Sequence, residues 1–272
     1  MATFVIGLLV ALYGHVTVEL SRQWLDDSNY SHCFLVPLFS AVLLWRRRHA
    51  LLALTPQGDW LGLPVLAAGV GARVLGDIGG EQFLMRSSLI VVLAGAVLFH
   101  FGRRAFRLVA FPVLFLFFMI PLPATVFYAI AFPLQSLAAR NAAWVLDLLG
   151  VPVLLEGNVI HLSQISLGIT EACSGIRSLV SLLVVSLAWG YVALPASWAT
   201  AVLTASAVPI TVVANAARVV VTGLIGQWFG VEYAQGVYHT FSGWLIFLFA
   251  FVCLLGVFAT VSLWLRQRGV TT

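Results

Sequence analysis

Three polar residues that lie far apart in the sequence, Cys173, Arg218 and His239, could together carry out thiol chemistry. Cys173 belongs to residues 170–178, a stretch of small residues that also carries one acid and one arginine and that opens an apolar helix running to about Leu194. The N-terminal end of a helix carries about half a positive charge, which favours the reactive thiolate form of a thiol held there. We therefore predict that Cys173 lies in the first turn of a membrane helix and acts as a nucleophile.

Each of these residues also has a purely structural explanation. A cysteine in a membrane helix is usually a small packing residue, which is how we interpret Cys253, and Cys33 could instead form a structural disulfide with Cys173. An arginine at the end of a span can extend to the lipid head groups, so Arg218 alone does not decide between the two explanations. A lone histidine such as His239 more often caps a helix or lies at the interface. The arrival of all three at one depth of the membrane favours the functional interpretation.

Other residues near these three could support them. Asn215 lies three residues before Arg218 and therefore on the same helix face. Glu171 could orient Arg177 or Arg218, or simply favour a helix N-terminus. Gly243 follows the histidine by four residues and leaves that face open to close approach by another helix or a peptide. We predict Glu171, Asn215 and Arg177 as supporting residues of the site.

The composition excludes a water-soluble protein. The chain has 272 residues, of which 61% are hydrophobic and 9% charged, and its mean hydropathy is +1.04, which indicates a polytopic membrane protein. All 14 basic residues are arginines, and their clusters stand at the ends of apolar stretches, as topology signals rather than as a nucleic-acid surface. The three cysteines lack metal-ligand spacing, so we predict no metal and no cofactor.

The apolar stretches define the membrane helices. A helix needs about 20 apolar residues to cross the hydrocarbon, and we therefore predict an all-α polytopic membrane protein with about eight transmembrane helices in a single domain, residues 1–272. The first apolar stretch lacks a basic leader and a clear cleavage site, so we predict a retained span rather than a signal peptide. The predicted spans are residues 3–20, 33–45, 60–75, 83–101, 108–120, 173–194, 196–221 and 239–265.

Residues 124–172, directly before the predicted catalytic helix, do not fit a simple span. Residues 124–150 have a helical period but carry Gln135, Arg140, Asn141 and Asp147. We predict an amphipathic helix at the interface or packed against the bundle, in preference to a ninth span. In residues 153–162, apolar residues alternate along the chain on both sides of a Glu-Gly-Asn turn, which predicts a small hairpin. Open sheet edges are not tolerated in hydrocarbon, so this hairpin should lie at the water interface.

The arginine clusters set the orientation. They follow the second, fourth and eighth predicted spans, hence lie on one side of the membrane, which the positive-inside rule makes the cytoplasm, together with both termini. Cys173 and His239 then open spans on the outer side. Arg218 also lies on the outer side, because it comes 22 residues after the cytoplasmic start of its span, which is about 33 Å at the helical rise. A ninth span would instead put the last cluster outside. The clusters are residues 46–48, 103–107 and 266–268.

Several of these segments resemble one known family. Residues 171–178 (Glu-Ala-Cys-Ser-Gly-Ile-Arg-Ser), residues 215–218 (Asn-Ala-Ala-Arg) and the pair His239 and Gly243 are similar to the motifs of the exosortase/archaeosortase family. Cys33 stands where that family usually has glycine, which keeps the disulfide alternative open. Further segments that look like family landmarks are Asn-Tyr-Ser-His at 29–32, Pro-Leu-Pro at 121–123 and Glu-Gly-Asn-Val-Ile at 156–160.

The resemblance implies a cysteine transpeptidase or protease of the bacterial inner membrane, with its active site facing the periplasm. Such enzymes process exported proteins that end in a sorting signal: a short Pro-Glu-Pro-type motif, a transmembrane helix and a basic tail. Their producers are typically Gram-negative bacteria that make exopolysaccharide. Cys173, Arg218 and His239 match the proposed catalytic positions. The implied partners are these C-terminal signal segments and membrane lipid, with no nucleic acid.

The chemistry suits these residues. Cys173 would attack the scissile carbonyl to form a thioester, His239 would activate the thiol and protonate the leaving amine, and Arg218 would stabilise the oxyanion. An amine acceptor or water would then release the acyl group. Two alternatives stay open: a non-enzymatic membrane module, such as a transporter or an exopolysaccharide assembly factor, and a membrane acyltransferase with His239 as its base. Transporters usually place polar groups near the midplane, whereas these collect at one face.

Overall fold

This computed structural model describes residues 2–169, 175–230, 232 and 237–269. Helices make up nearly all of its regular structure, and several are long enough to cross a membrane, which confirms the prediction of a helical polytopic membrane protein. The chain divides into two compact units, Met1–Ala124 and Thr125–Thr272. Each unit has its own buried core.

The first unit is helical throughout its described elements. Tyr13 and Val16 of its first helix are buried with Val92 in one core cluster. At the end of that helix, the indole nitrogen of Trp24 donates a hydrogen bond to the carbonyl of Met119 at 3.0 Å. The elements are α1 (Ala2–Asp26), a 3-10 helix (Ser28–Phe34), α2 (Leu35–Arg46), α3 (Arg48–Leu52), α4 (Gly62–Gly79), α5 (Gln82–Phe115) and a second 3-10 helix (Leu116–Met119).

Five helices of the described chain are long and apolar enough to cross a membrane, and they cover the third to eighth predicted spans. The fourth and fifth predicted spans fall together in α5. α1 is not among the five, and α2 has 12 residues, about 18 Å at the helical rise, short of the roughly 30 Å hydrocarbon core. The predicted number of eight spans is therefore not confirmed. The five are Gly62–Gly79, Gln82–Met119, Ile176–Ala193, Ser197–Phe229 and Phe241–Gln267.

A sharp bend at Gly102 still separates the two predicted spans that merge in α5. This residue has φ 77° and ψ −177°, outside the helical region, and a Cβ there would run into the carbonyl oxygen of Gln57. Arg103 follows the bend and pairs with Asp59 at 2.5 Å. The amide of Leu61 and the guanidinium of Arg103 hold the pKa of Asp59 below its ordinary value. The bend thus lies at the arginine cluster where the sequence predicts a boundary between spans.

Glycines let α4 pack closely against the first half of α5. Gly69 and Gly76 of α4 lie against the backbone of Val92 and Met85, respectively, so the two helices run antiparallel. A Cβ on Gly69 would come within 2.7 Å of the Val92 side chain and 2.9 Å of its backbone nitrogen. The close contact between α4 and α5, which we call the glycine seam, therefore depends on the missing side chain at Gly69.

The second unit contains the site region and a small sheet. Its three strands are antiparallel in the order β1-β2-β3. β1 and β2 form the predicted hairpin, with Glu156 paired to Val159, and Gly157 has φ 63°, as the first central residue of a type II′ turn requires. β3 was not predicted. The elements are α6 (Ala124–Leu148), β1 (Val153–Glu156), β2 (Val159–Leu162), β3 (Ser166–Gly168), α7 (Ile176–Ala193), α8 (Ser197–Phe229) and α9 (Val237–Gln267).

The sheet packs on α6 and α8. Ile160 of β2 and Ile169 after β3 are buried with Ala139 and Leu146 of α6 and with Val220 of α8. α6 accounts for the helix predicted in residues 124–150, and its position relative to the membrane stays a prediction. Packing of the sheet against two helices buries Ile169, the residue that directly precedes residues 170–174.

α7, α8 and α9 form a bundle. Leu182 of α7, Leu203 of α8 and Leu254 of α9 are buried in one cluster. Gly190 of α7 approaches Thr200 so closely that a Cβ on the glycine would lie 2.8 Å from that side chain's methyl group. α8 contacts both other helices, and this places its polar residues between the start of α7 and the start of α9.

The glycine seam yields a stability prediction. Gly69→Ala should lower thermal stability, because the added methyl must push α4 away from Val92, and such overpacking typically costs about 1–3 kcal/mol. Gly71→Ala on the same helix is the matched control, since a Cβ there meets no atom within 4 Å and gains helix propensity. Unfolding in detergent, followed by tryptophan fluorescence, compares the two variants. Equal midpoints would contradict the packing of this seam.

Candidate functional site

The helix after the candidate nucleophile begins later than predicted. Glu171 and Cys173 fall outside the described residues. α7 begins at Ile176, and its N-cap Gly175 has φ 81° and ψ 0°. Because this left-handed conformation interrupts a right-handed helix, the prediction that the helix starts at Cys173 is wrong. Cys173 precedes Ile176, the first residue of α7, by three positions in the sequence.

Gly175 packs against Asn215 of α8. A Cβ on Gly175 would lie 2.9 Å from the side-chain Cγ of Asn215, so both the backbone conformation and the close approach require glycine. Asn215 is 4% exposed and lies about one helical turn before Arg218. Gly175, the residue directly after residues 170–174, which we call the cysteine segment, is thereby packed against α8 one turn from Arg218.

Asn158 holds Ile169, the residue directly before the cysteine segment. Its backbone carbonyl accepts a hydrogen bond from the amide of Ile169 at 2.9 Å, and its side-chain Nδ2 donates one to the carbonyl of Ile169 at 2.9 Å. The same Nδ2 lies 3.5 Å from Oε1 of Gln135, a buried residue of α6. Ile169 directly precedes the cysteine segment, so the hairpin turn and α8 hold the two residues that flank that segment, Ile169 and Gly175.

Arg218 lies over the first turns of α9. Its Nε donates to Oγ of Ser242 at 3.4 Å, and its Nη2 lies 3.5 Å from the position that a Cβ on Gly243 would take. His239 belongs to the first turn of α9, and its side chain is outside the described residues. Residues four apart share a helix face, so Gly243 marks the face that carries His239. The guanidinium of Arg218 occupies the space that this glycine leaves open.

One turn of α8 thus contacts the N-terminal ends of two other helices, α7 and α9. Asn215 touches the start of α7, and Arg218 touches the start of α9. The N-terminal end of each helix carries a partial positive charge, and the guanidinium adds a full one. This arrangement favours a negative charge where the two helices begin, such as that of a thiolate or of a tetrahedral oxyanion.

Other candidate residues are placed less centrally, and some neighbours were missed. Arg177 is exposed in the first turn of α7, and its predicted interaction with Glu171 falls outside the described residues. In the described part of the chain, no group of three or more His, Cys, Asp or Glu residues could hold a metal ion. Ser242 could have been found from its position three residues after His239. The other missed residues are Gln135 and Asn158.

Cys33, the candidate for a disulfide with Cys173, carries a free thiol in the described part of the chain. It is 1% exposed. Its Sγ lies 3.6 Å from the carbonyl oxygen of Phe118 and 3.7 Å from Nε2 of His32. The Cys33 thiol therefore has polar neighbours within the first unit.

Comparison with known proteins gives one family. A sequence profile of the transmembrane exosortase family matches residues 24–256. The matched region contains all of the candidate site residues and most of both compact units. Searches of curated proteins and of solved structures find no match.

The anchoring role of Asn158 can be tested by stability. Asn158→Ala removes the bond to the Ile169 carbonyl and leaves the buried Gln135 oxygen without this neighbour, so we expect a loss of about 1–3 kcal/mol in unfolding free energy. His161→Ala on the same hairpin is the control, because its polar contacts are exposed and should be worth less than about 0.5 kcal/mol. Thermal unfolding in detergent measures both variants. A smaller loss for Asn158→Ala than for the control would contradict the anchor.

The state of Cys33 can be tested by counting thiols. The unfolded, unreduced protein should take up three alkyl groups, one for each cysteine of the sequence, as determined from the mass of the intact protein. Cys33→Ala should take up two, with or without reductant. Uptake of a single group by the wild type, rising to three after reduction, would instead establish a disulfide between Cys33 and one of the other two cysteines, or between those two.

Proposed function

The chain belongs to the transmembrane exosortase family, and from this membership and the site geometry we propose that it is a membrane cysteine transpeptidase or protease. Its substrates are exported proteins with a C-terminal sorting signal of the Pro-Glu-Pro type, and the reaction passes through a thioester on Cys173. One observation carries the proposal: Arg218 lies over the face of α9 that bears His239, one turn from the contact of Asn215 with the start of α7.

Cys173 is the nucleophile of this mechanism. Its thiolate attacks the carbonyl carbon of the scissile peptide bond, and a carbon–sulfur bond forms as the carbonyl oxygen becomes an oxyanion. Arg218 stabilises that oxyanion, since a guanidinium is always charged and this one is partly buried, where charge interactions are stronger than in water. The bond from its Nε to Ser242 orients the remaining N–H donors.

His239 moves the proton. As a general base it accepts the thiol proton, and as a general acid it gives that proton to the leaving amine when the carbon–nitrogen bond breaks. The amine leaves with the membrane helix and basic tail of the signal, while the acyl group stays on the sulfur as a thioester. An amine acceptor or water then attacks the thioester and frees the thiol for another cycle.

The proposed place of reaction is the periplasmic face of the bacterial inner membrane, with both termini in the cytoplasm. Support comes from the first unit, where Arg47 donates a hydrogen bond to the carbonyl of Leu108. This contact puts residues 46–48 and residues 103–107 near the same end of that unit. Arginine-rich ends of membrane helices face the cytoplasm. Within the second unit, α9 carries Arg266 in its last turn and begins at the site, so the site, at the opposite end of that helix, faces the periplasm. A substrate helix enters sideways from the bilayer between the spans.

The proposal predicts the behaviour of three variants. Cys173→Ala, Arg218→Ala and His239→Ala should each abolish shortening of a co-expressed reporter that ends in a Pro-Glu-Pro-type signal, because each loss lowers kcat by about 10²–10⁴-fold. Gels of the reporter, with expression checked for every variant, give the readout. Cys253→Ala and His161→Ala remove the same residue types elsewhere in the second unit and should keep processing.

Trapping the intermediate separates the alternatives. The peptide containing Cys173 should carry an acyl group that hydroxylamine, which cleaves thioesters, removes. Normal processing by Cys173→Ala would show that thiol catalysis is wrong and would favour a non-enzymatic membrane module. Processing by Cys173→Ser together with its loss in His239→Ala would instead indicate an acyltransferase with a histidine base.

A further inference from the structure

The sheet of the second unit has an exposed edge along β3. The strand order is β1-β2-β3, which places β3 at one edge of the sheet. Ser166 and Gly168 are exposed there, whereas Leu167 between them is half-buried. A Cβ on Gly168 would meet no atom of the described chain within 4 Å. An exposed edge presents backbone N–H and carbonyl groups that can pair with another extended chain.

Two backbone hydrogen bonds fix the pairing pattern between β2 and β3. The amide of Ile169 donates to the carbonyl of Asn158 at 2.9 Å, and the amide of Leu162 donates to the carbonyl of Ile165 at 2.8 Å. In an antiparallel pair, residues that are hydrogen-bonded to each other alternate with residues that are not. Every second residue from Asn158 to Leu162 is therefore hydrogen-bonded to the strand alongside it.

The same alternation directs two residues of β3 outward. Leu167 lies opposite Ile160, which is one of the hydrogen-bonded positions, so the N–H and carbonyl of Leu167 face β2. Ser166 and Gly168, on either side of it, direct their N–H and carbonyl groups away from β2. The edge of β3 therefore offers two donors and two acceptors, spaced two residues apart, to a chain that lies alongside it.

β3 is attached to α8 just beyond Arg218. A Cβ on Gly223 would lie 3.4 Å from Cδ1 of Leu167, and the amide of Gln164 donates to Oε1 of Gln227 at 3.0 Å. Gly223 follows Arg218 by five residues in the sequence, about 7.5 Å at the helical rise. Contacts within the second unit thus place β3 close to the residue that stabilises the oxyanion in the proposed mechanism.

The opposite edge of the sheet is less accessible. By the same alternation, the residues of β1 whose backbone groups face outward are Val153 and Leu155. Both are half-buried, and both pack against the core cluster that contains Ile160. β3 is therefore the edge that is better suited to take up another chain.

The proposed substrate brings an extended chain to this edge. A proline has no N–H and disfavours helix both at its own position and at the residue before it, so a Pro-Glu-Pro sequence stays extended. Its two prolines stand at alternate positions, and in an added strand alternate residues face away from the sheet. The residue between them keeps its N–H and carbonyl and can therefore pair with Ser166 or Gly168.

We propose that β3 binds the substrate by strand addition, with the motif of the sorting signal lying as a fourth strand along Ser166 and Gly168. The backbone of its glutamate pairs with one of these residues, and its prolines face away from the sheet. This assignment rests on the proposed function, because the occupant is the substrate of that reaction. Hydrogen bonds to the substrate backbone then set the register in which the signal is presented.

Two variants of Gly168 test the edge of the protein. Gly168→Pro removes one outward N–H, which no strand of the sheet uses, so the fold should persist. KM for a purified reporter should be about tenfold higher in Gly168→Pro than in Gly168→Ala, the equivalent of one hydrogen bond, with similar kcat. Gly168→Ala is the matched variant, because it keeps the N–H and its Cβ has space. Thermal unfolding in detergent checks the fold of both.

A proline scan tests the substrate side with the unchanged protein. Reporters carry proline, or alanine as the matched control, at the motif glutamate and at each of the three residues before and after it. Proline should raise KM about tenfold over alanine at the glutamate and at a residue two positions away, where an N–H is needed. At the positions between them, proline and alanine should give KM values within about twofold, because those residues face away from β3.

The outcomes that overturn this assignment differ from those that overturn the proposed function. Equal KM values for proline and alanine at every scanned position, or for Gly168→Pro and Gly168→Ala, overturn strand addition at β3 and leave the proposed function standing. Failure of the wild type to cleave any reporter overturns the proposed function and this assignment with it. If Gly168→Pro does not fold, the proline scan on the wild type still decides the question.

Discussion

The contact between Gly175 and Asn215 is the constraint on which the candidate site depends. Ordering the backbone of a residue costs about 1–2 kcal/mol of conformational entropy, so a segment between β3 and α7 needs firm attachment at its ends. Asn215 provides one attachment through close packing, and Asn158 provides the other through two hydrogen bonds to Ile169. Both asparagines belong to elements outside the cysteine segment.

This role explains why a helical membrane protein contains a small sheet. The hairpin turn places Asn158 beside the residue that precedes the cysteine segment, and the strands are fixed by packing on α6 and α8. The sheet has three strands and is not closed, so its outer edges carry backbone groups that hydrocarbon cannot satisfy. We infer that the sheet also sets the depth of the site, because it must stay near water while α8, one of the two helices on which it packs, is long and apolar enough to cross the bilayer.

The sequence predicts the elements of this region better than their contacts. The long apolar runs of α7, α8 and α9 and the turn at Gly157 are local signals, and they appear in the structure near the predicted positions. The start of α7 was misplaced because apolar periodicity does not reveal the left-handed conformation of Gly175. Asn158 and Ser242 were missed as site residues because their partners are distant in sequence. The predicted number of eight spans is not confirmed, because α2 is apolar but, with 12 residues, too short to cross alone.

Three polar residues of α8 lie on one face of the helix, and the contacts of that face explain their positions. Thr211, Asn215 and Arg218 are spaced at i, i+4 and i+7, which places them on one face over about 10 Å of helix. Along that face Thr211 lines a small cavity beside Gly175, Asn215 packs against the start of α7 and Arg218 contacts the start of α9. Polar groups are unfavourable inside an apolar bundle unless they are satisfied, so packing alone does not account for three of them in a row. A rotation of α8 about its axis would displace all three together, and the contacts with the starts of α7 and α9 would therefore be lost together.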